Sequence, residues 1–251
     1  MKLSIITVNR NNKDGLEKTI RSVIRQTSHD YEYIIIDGAS TDGSPEIIRN
    51  YEENITYWIS EPDTGIYNAM NKGIRKAQGD YCLFLNSGDW LYEKDVLEKI
   101  AHHLDMKTPI ISCRIMRDDA PEGILARKYY NLFTALSVNF PHQATFIQRS
   151  LFNIFGMYDE SYKIRSDSVF FFKTVIMNKV PFSIIEIPVA FFDGNGISSS
   201  NSKLLQAEFR AFLFHEAPLY LTIPFLLKEL LRIISPSSLW NFIKKFKHDG
   251  K

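Results

Sequence analysis

The chain of 251 residues has only two cysteines, Cys82 and Cys113. That scarcity excludes a disulfide-stapled secreted scaffold and a zinc site built on clustered thiols. Both thiols sit inside apolar runs, which fits a reducing cytoplasm. Net charge is equally scarce: 30 Lys and Arg against 29 Asp and Glu leave +1. No global basic field therefore points to nucleic acid as a partner. A run of about 18 uncharged apolar residues, the minimum for a spanning helix, is also missing. The first apolar stretch, residues 3–8, is too short and too interrupted for a signal peptide and reads as a strand. Glycine is absent where nucleotide-binding loops need it. No Gly-x-Gly-x-x-Gly follows the first strand and no Gly-x-x-x-x-Gly-Lys-Ser/Thr occurs anywhere, so a bound phosphate must be met without a glycine cradle.

What the chain does contain is an ordinary globular composition, 45% hydrophobic and 24% charged, enough to bury a sizeable core. β-Branched runs at 3–8, 33–37, 56–60, 81–85 and 109–113 alternate with helical stretches at 13–26, 44–51, 66–77 and 95–104. In the first helix Leu16, Ile20, Val23 and Ile24 share one face. Asp42 is placed to cap the second, and Gly79 follows the third as a stop. Repeated βα units imply an α/β fold with a Rossmann-like, mostly parallel central sheet flanked by helices. Beyond residue 115 the alternation loosens; a helix over 168–177 and a strand over 182–187, stopped by Pro188, are expected. From Lys203 the chain is helical, apolar and basic. Two readings stand side by side for 203–251: an appendage packed on the domain, or a helix lying in a membrane surface.

In open parallel sheets ligands bind outside the carboxyl ends of the strands. The strand ends here are polar: Thr7-Val8-Asn9, Asp37-Gly38-Ala39-Ser40, Glu61-Pro62-Asp63 and Asn86-Ser87-Gly88-Asp89. Each alone is also what a turn or helix cap demands. Four in succession, without a phosphate loop, point to a divalent cation held by a carboxylate and bridging phosphate oxygens.

The ordered set Ser4-Ile5-Ile6-Thr7-Val8-Asn9, Ile36-Asp37-Gly38-Ala39-Ser40-Thr41-Asp42-Gly43-Ser44, Glu61-Pro62-Asp63-Thr64-Gly65-Ile66-Tyr67-Asn68-Ala69-Met70-Asn71-Lys72-Gly73 and Phe84-Leu85-Asn86-Ser87-Gly88-Asp89 resembles family 2 inverting glycosyltransferases. Pro141-His142-Gln143 and Ser166-Asp167 continue the likeness, which runs over about residues 3–200 and is nearest to bacterial enzymes of cell-surface polysaccharide synthesis. The resemblance implies a GT-A catalytic domain over 1–202, with a nucleotide-sugar half to about 115 and an acceptor half from about 116, followed by the helical extension 203–251.

By the same resemblance Thr7, Asn9, Asp37, Asn71, Lys72 and Asn86 are donor-site candidates. Asp89 is the candidate ligand for Mn2+ or Mg2+; relatives carry an Asp-x-Asp cluster where this chain keeps one carboxylate. Asp167 is the candidate catalytic base, with a helix N-cap as its structural alternative. His142 is a candidate contact to acceptor or donor, and the loop 193–198 could close over the diphosphate. A base working near neutral pH would need its pKa raised from about 3.9. The implied reaction moves a sugar from a nucleotide-diphosphate sugar, with uridine favoured, to a hydroxyl of a glycan or lipid-linked acceptor. The implied place is the cytoplasm, with peripheral contact at the inner membrane face. The competing reading is a catalytically weak nucleotide-sugar-binding subunit of an assembly complex.

Overall fold

The computed structural model describes residues 3–132, 134–194 and 202–234. Among the described residues nine strands form one sheet in the order β3-β2-β1-β4-β8-β6-β9-β5, with β7 paired to β6. The half made of β3 (Tyr57–Ser60), β2 (Tyr31–Asp37), β1 (Leu3–Asn9) and β4 (Tyr81–Phe84) is parallel throughout. Every residue of β1 and β4 is buried, as near-continuous apolar strands require when helices cover both faces. The crossovers are α1 (Lys13–Ile24), α2 (Ser44–Asn50) and α3 (Ile66–Lys76). In α1 the buried set is Leu16, Thr19, Ile20 and Val23, one helical face.

The other half is mixed. β6 (Ile110–Arg117) and β8 (Thr145–Gln148) pair antiparallel, as do β8 and β4, whereas β9 (Phe182–Phe191) runs parallel to β6 and antiparallel to the short β5 (Trp90–Leu91). The charged stretch after residue 115 is the turn of a hairpin between β6 and β7 (Ala120–Ile124). Shorter helices α4 (Val96–Ala101), α5 (Ser150–Phe155) and α6 (Ser166–Phe171) complete the layers, and α6 runs into a π-helical turn at Phe172–Met177. Two sequence expectations need correction here. The helix expected from 168 starts at Ser166, so Asp167 lies inside its first turn and is not its N-cap. β9 continues past Pro188, because that residue sits opposite Arg114 where the β6–β9 register shifts and a ladder N–H is not required.

Two apolar clusters flank the sheet. One includes the aromatic stack of Phe84, Phe152, Tyr158 and Phe170 together with α3. The C-terminal helix α7 (Ser202–His215) joins this cluster through Phe212, which meets Phe172 edge-on at 4.9 Å. Of the extension expected over 203–251, residues 235–251 lie outside the described residues, as does most of the 193–198 loop. Helix α3 is pressed onto β1 at Gly73, where a Cβ would stand 2.4 Å from Ile6 Cγ2. Ile6 is β-branched and fully buried, so it cannot yield easily. Gly73→Ala is expected to destabilise by about 1–3 kcal/mol through overpacking, despite alanine's better helix propensity. A thermal melt that fails to drop by a few degrees would contradict this contact.

Candidate functional site

At the carboxyl end of β2, Asp37 is fully buried and saturated with donors. It accepts from Asn9 Nδ2 at 2.7 Å, the Ser40 amide at 2.9 Å, and the Ser40 and Ser60 hydroxyls at 2.6 Å each. The turn that folds Ser40 back needs Ala39 in the left-handed region at φ 56°. Asp63, at the end of the next crossover entry, presses its carboxylate against the Gly38 backbone: a Cβ on Gly38 would come within 2.3 Å of Asp63 Oδ2. Asp42 accepts from the backbone amides of Lys13 and Ser44, tying together the starts of α1 and α2. Thr7 lies lower, fully buried, donating to the Leu85 carbonyl at 2.8 Å and meeting the Tyr33 hydroxyl at 3.1 Å. Its hydroxyl is used inside the sheet and not on the open edge.

After β4 the chain turns through Gly88 at φ 104° to deliver Asp89, which is 5% exposed. Asp89 Oδ1 accepts from the Asp193 amide at 3.1 Å, and the nearby Gln143 side chain favours the ionised carboxylate. Asp193, just past the end of β9, brings a second carboxylate to this corner; its Oδ2 is 3.5 Å from the position a Cβ on Gly88 would occupy. Burial pushes the Asp89 carboxyl up to about 6, with Asp193 adding to the rise and the Asp193 amide and His142 opposing it. Among the described residues no group of three or more His, Cys, Asp and Glu converges on a metal position. Two carboxylates with hard oxygen donors still suit a divalent ion that completes its shell with phosphates and water.

Asp167, in the first turn of α6, accepts from the Tyr67 hydroxyl at 3.0 Å and the Ser168 amide at 2.8 Å through Oδ1, and faces His142 Nδ1 at 3.1 Å through Oδ2. His142 Nε2 is 3.1 Å from Asn86 Nδ2. One proton placement satisfies this chain: Nδ1–H donates to the carboxylate, and Nε2 accepts from the Asn86 amide. Burial alone would raise the Asp167 carboxyl, but the hydrogen bond and electrostatic pull of the His142 ring, with the Ser168 and Tyr67 bonds, outweigh it and hold the carboxyl below its ordinary value. The carboxylate raised towards neutrality is thus Asp89 and not the candidate base.

The turn Pro141-His142-Gln143 joins the two corners, because adjacent side chains reach Asp167 and Asp89 respectively. Asn9 Oδ1 and Asn86 Oδ1 are buried without a hydrogen-bond partner, as expected of a polar site that a ligand or ordered water completes.

Besides Thr7, two of the sequence candidates face elsewhere. Asn71 bridges to the far half: Nδ2 donates to the Tyr158 carbonyl and Glu160, and Oδ1 accepts from the Tyr158 amide. Lys72 Nζ pairs with Glu61 at 2.8 Å and the Pro62 carbonyl at 2.8 Å, so its charge is already met. Conversely, Tyr67, Gln143 and Asp193 touch the key carboxylates without having been singled out. Tyr67 and Gln143 stood inside the quoted motifs; Asp193 opened the loop noted at 193–198, but its place beside Asp89 had no local signal, since only the sheet brings β9 beside β5. Glu208 of α7 was also missed: its carboxylate accepts from the backbone amides of Lys163, Ile164 and Arg165, the segment leading into Asp167.

The model of glycosyl transferase family 2 matches residues 4–170, taking in Asn9, Asp37, Asn86, Asp89 and Asp167. The chain belongs to glycosyl transferase family 2. It is 33% identical over 204 residues to an uncharacterized glycosyltransferase of Mycobacterium tuberculosis, covering 78% of this chain and 77% of that one. It is 32% identical over 170 residues to a PGL/p-HBAD biosynthesis glycosyltransferase of Mycobacterium bovis, 65% and 66% of the two chains. Among solved structures, Staphylococcus aureus TarS 1-349 in complex with UDP-GlcNAc superposes with a TM-score of 0.65 at 15% identity, covering 90% of this chain and 72% of that one. The mannosyltransferase PcManGT from Pyrobaculum calidifontis, in complex with GDP-Man and Mn2+, gives 0.66 at 20%, covering 93% and 70%. These likenesses establish the GT-A fold. The family 2 protein is therefore a glycosyltransferase enzyme, related to those of polysaccharide biosynthesis.

Proposed function

We propose that this glycosyltransferase works with inversion, moving a sugar from a nucleoside-diphosphate donor, uridine favoured, to a hydroxyl of a glycan or lipid-linked acceptor in cell-surface polysaccharide synthesis. The observation that carries this reading is the continuous polar chain from Asp167 through His142 to Asn86, with Gln143 linking the same turn to Asp89. Asn9 and Asp37 support the nucleoside end. In a single displacement the acceptor oxygen forms its bond to the anomeric carbon as the bond to the leaving phosphate oxygen breaks. The hydroxyl proton passes to Asp167, and the leaving diphosphate keeps the electron pair. Asp89 and Asp193 would hold Mn2+ or Mg2+, which would supply positive charge to offset that of the diphosphate. Tyr67 and the Ser168 amide orient one carboxylate oxygen of Asp167, while His142 orients the other.

A peripheral membrane position at the cytoplasmic face is part of the proposal. Among the described residues no helix is long and apolar enough to cross a membrane. Helix α8 (Leu219–Ile234) nonetheless exposes Leu219, Tyr220, Ile223, Leu226, Leu227 and Leu230, each at least half exposed and spaced along one face. Screening nucleotide sugars for diphosphate release, with and without manganese, tests the activity. Binding without turnover across the panel would favour a non-catalytic subunit instead. Cosedimentation with phosphatidylglycerol vesicles tests the surface: Ile223→Glu with Leu227→Glu is expected to cut the bound fraction severalfold, and unchanged partitioning would remove the membrane from the proposal.

A further inference from the structure

Helix α7 acts on the segment that leads into Asp167. Glu208 is 8% exposed, and its carboxylate accepts from the Lys163 amide, from the Ile164 amide at 2.9 Å and from the Arg165 amide at 3.1 Å. Three successive backbone amides on one carboxylate form charge-assisted bonds, stronger than their neutral counterparts. The next residue, Phe209, lies beneath the Arg165 guanidinium at 4.8 Å, and the charge of that guanidinium is felt by both Glu208 and Asp167. The carbonyl of Ile164 is held from α3: the Tyr67 hydroxyl is 2.7 Å from it and 3.0 Å from Asp167 Oδ1. One phenol proton thus serves two acceptors, and their separation depends on where the 163–165 segment sits. Helix α6 has no side-chain N-cap of its own to fix that segment.

A buried carboxylate costs free energy unless donors surround it. Docking α7 does not need one, because Phe212 already packs edge-on against Phe172. What the carboxylate adds is a fixed place for one short segment. Resting on Asp167 as the base proposed above, we infer that Glu208 is a positioning residue of the transfer step: by holding Lys163, Ile164 and Arg165 it keeps Tyr67 and His142 in register with the two oxygens of Asp167. The working unit therefore extends past residue 170, where the family 2 model ends, into α7. A reacting group misplaced by about 1 Å loses on the order of 10²-fold in rate, so a hold of this kind acts on turnover and leaves nucleotide binding alone.

The test uses the full chain carrying Glu208→Gln, whose side chain keeps one oxygen but must turn an NH2 towards backbone N–H donors. Glu208→Asp keeps the charge on a shorter stem; it is read in the same assays with a smaller loss expected, and it carries the test where the glutamine variant does not fold. Phe225→Leu is the control: Phe225 packs on Phe209, so this change loosens the C-terminal helices and leaves the carboxylate in place. Turnover is read as UDP released from the sugar nucleotide that the donor panel selects, with water as acceptor. Glu208→Gln is expected to lower kcat about tenfold or more, with KM and UDP affinity within about twofold of wild type. Amide exchange of residues 163–165 should quicken severalfold. The Asp167 carboxyl, followed by 13C NMR with Asp167→Asn for assignment, should titrate higher than in the wild type, because His142 and Tyr67 no longer hold it as closely. Phe225→Leu should lower the melting temperature while kcat, exchange and the Asp167 titration stay as in the wild type. Equal loss of kcat in the Gln and Leu variants at equal loss of melting temperature would make Glu208 a packing residue and overturn the inference, and so would an unchanged Asp167 titration in Glu208→Gln. If no sugar nucleotide turns over, the transferase reading fails, while exchange and titration still decide whether Glu208 positions Asp167.

Discussion

Asp167→Asn is expected to lower the transfer rate by 10²–10⁴-fold, the usual range for a lost general base, with UDP affinity changed less than threefold. The substitution is nearly isosteric. The asparagine amide can keep an oxygen towards Tyr67 and the Ser168 amide, so the site should stay assembled while the proton acceptor is removed. Single-turnover transfer set beside calorimetric UDP binding checks this, and near-normal turnover would remove Asp167 from the mechanism. Because His142 and its companions hold the Asp167 carboxyl low, this carboxylate stays ionised throughout the neutral range. Its contribution to folding stability is present above the ordinary carboxylate pKa of 3.8 and is lost only as the pH falls through the lower folded value. No acid limb near neutrality should therefore arise from it. A weak base suffices in this reaction, because the acceptor hydroxyl becomes strongly acidic only as its bond to the anomeric carbon forms.

The second large effect belongs to Asp89, and its sign is opposite. A folded pKa of about 6 against an ordinary 3.8 means that the metal-free fold prefers the protonated carboxyl. The stability tied to that preference is complete below pH 3.8 and is lost as the pH rises through 6, amounting to on the order of 3 kcal/mol by pH 8. In EDTA at pH 8, Asp89→Asn is expected to raise the melting temperature by several degrees, with the gain fading towards pH 4. The same substitution should abolish manganese-dependent UDP binding. A variant that melts lower than the wild type at pH 8, or that keeps the manganese effect, would show that the corner is neither strained by charge nor used for metal. Proton and cation compete for one carboxylate, so manganese affinity should fall about tenfold per pH unit below 6.

Both effects turn on residues legible in the sequence, yet the sequence misplaced the chemistry between them. Strand ends are local: a β-branched run followed by Asn, Asp, Ser or Gly announces the edge, and so Asn9, Asp37, Asn86 and Asp89 stood out. The parallel half of the sheet was readable for the same reason. What could not be read was which oxygens meet. Asp167 and His142 are 25 residues apart, Asp89 and Asp193 are 104 apart, and nothing local encodes either pairing. Asn71 and Lys72 show the reverse case. Their motif was correctly noticed, but Tyr158, Glu160 and Glu61 take up their polar groups. In the far half β6 and β9 were readable as apolar runs, whereas β5, β7 and β8 were not, because they are five residues or fewer and pair antiparallel, leaving no helical spacing between them.

Glu208 has a practical meaning for anyone who wants to exchange parts of this enzyme. A surface-targeting tail is commonly treated as a cassette, to be trimmed for expression or swapped to redirect a catalyst. Here the tail's first helix holds three consecutive amides of the loop that aims Asp167. A cut before Ser202 is therefore expected to yield a domain that still binds nucleotide but has lost the grip on its candidate base. A chimera meant to send this catalyst elsewhere should join its new address after His215, leaving that grip in place.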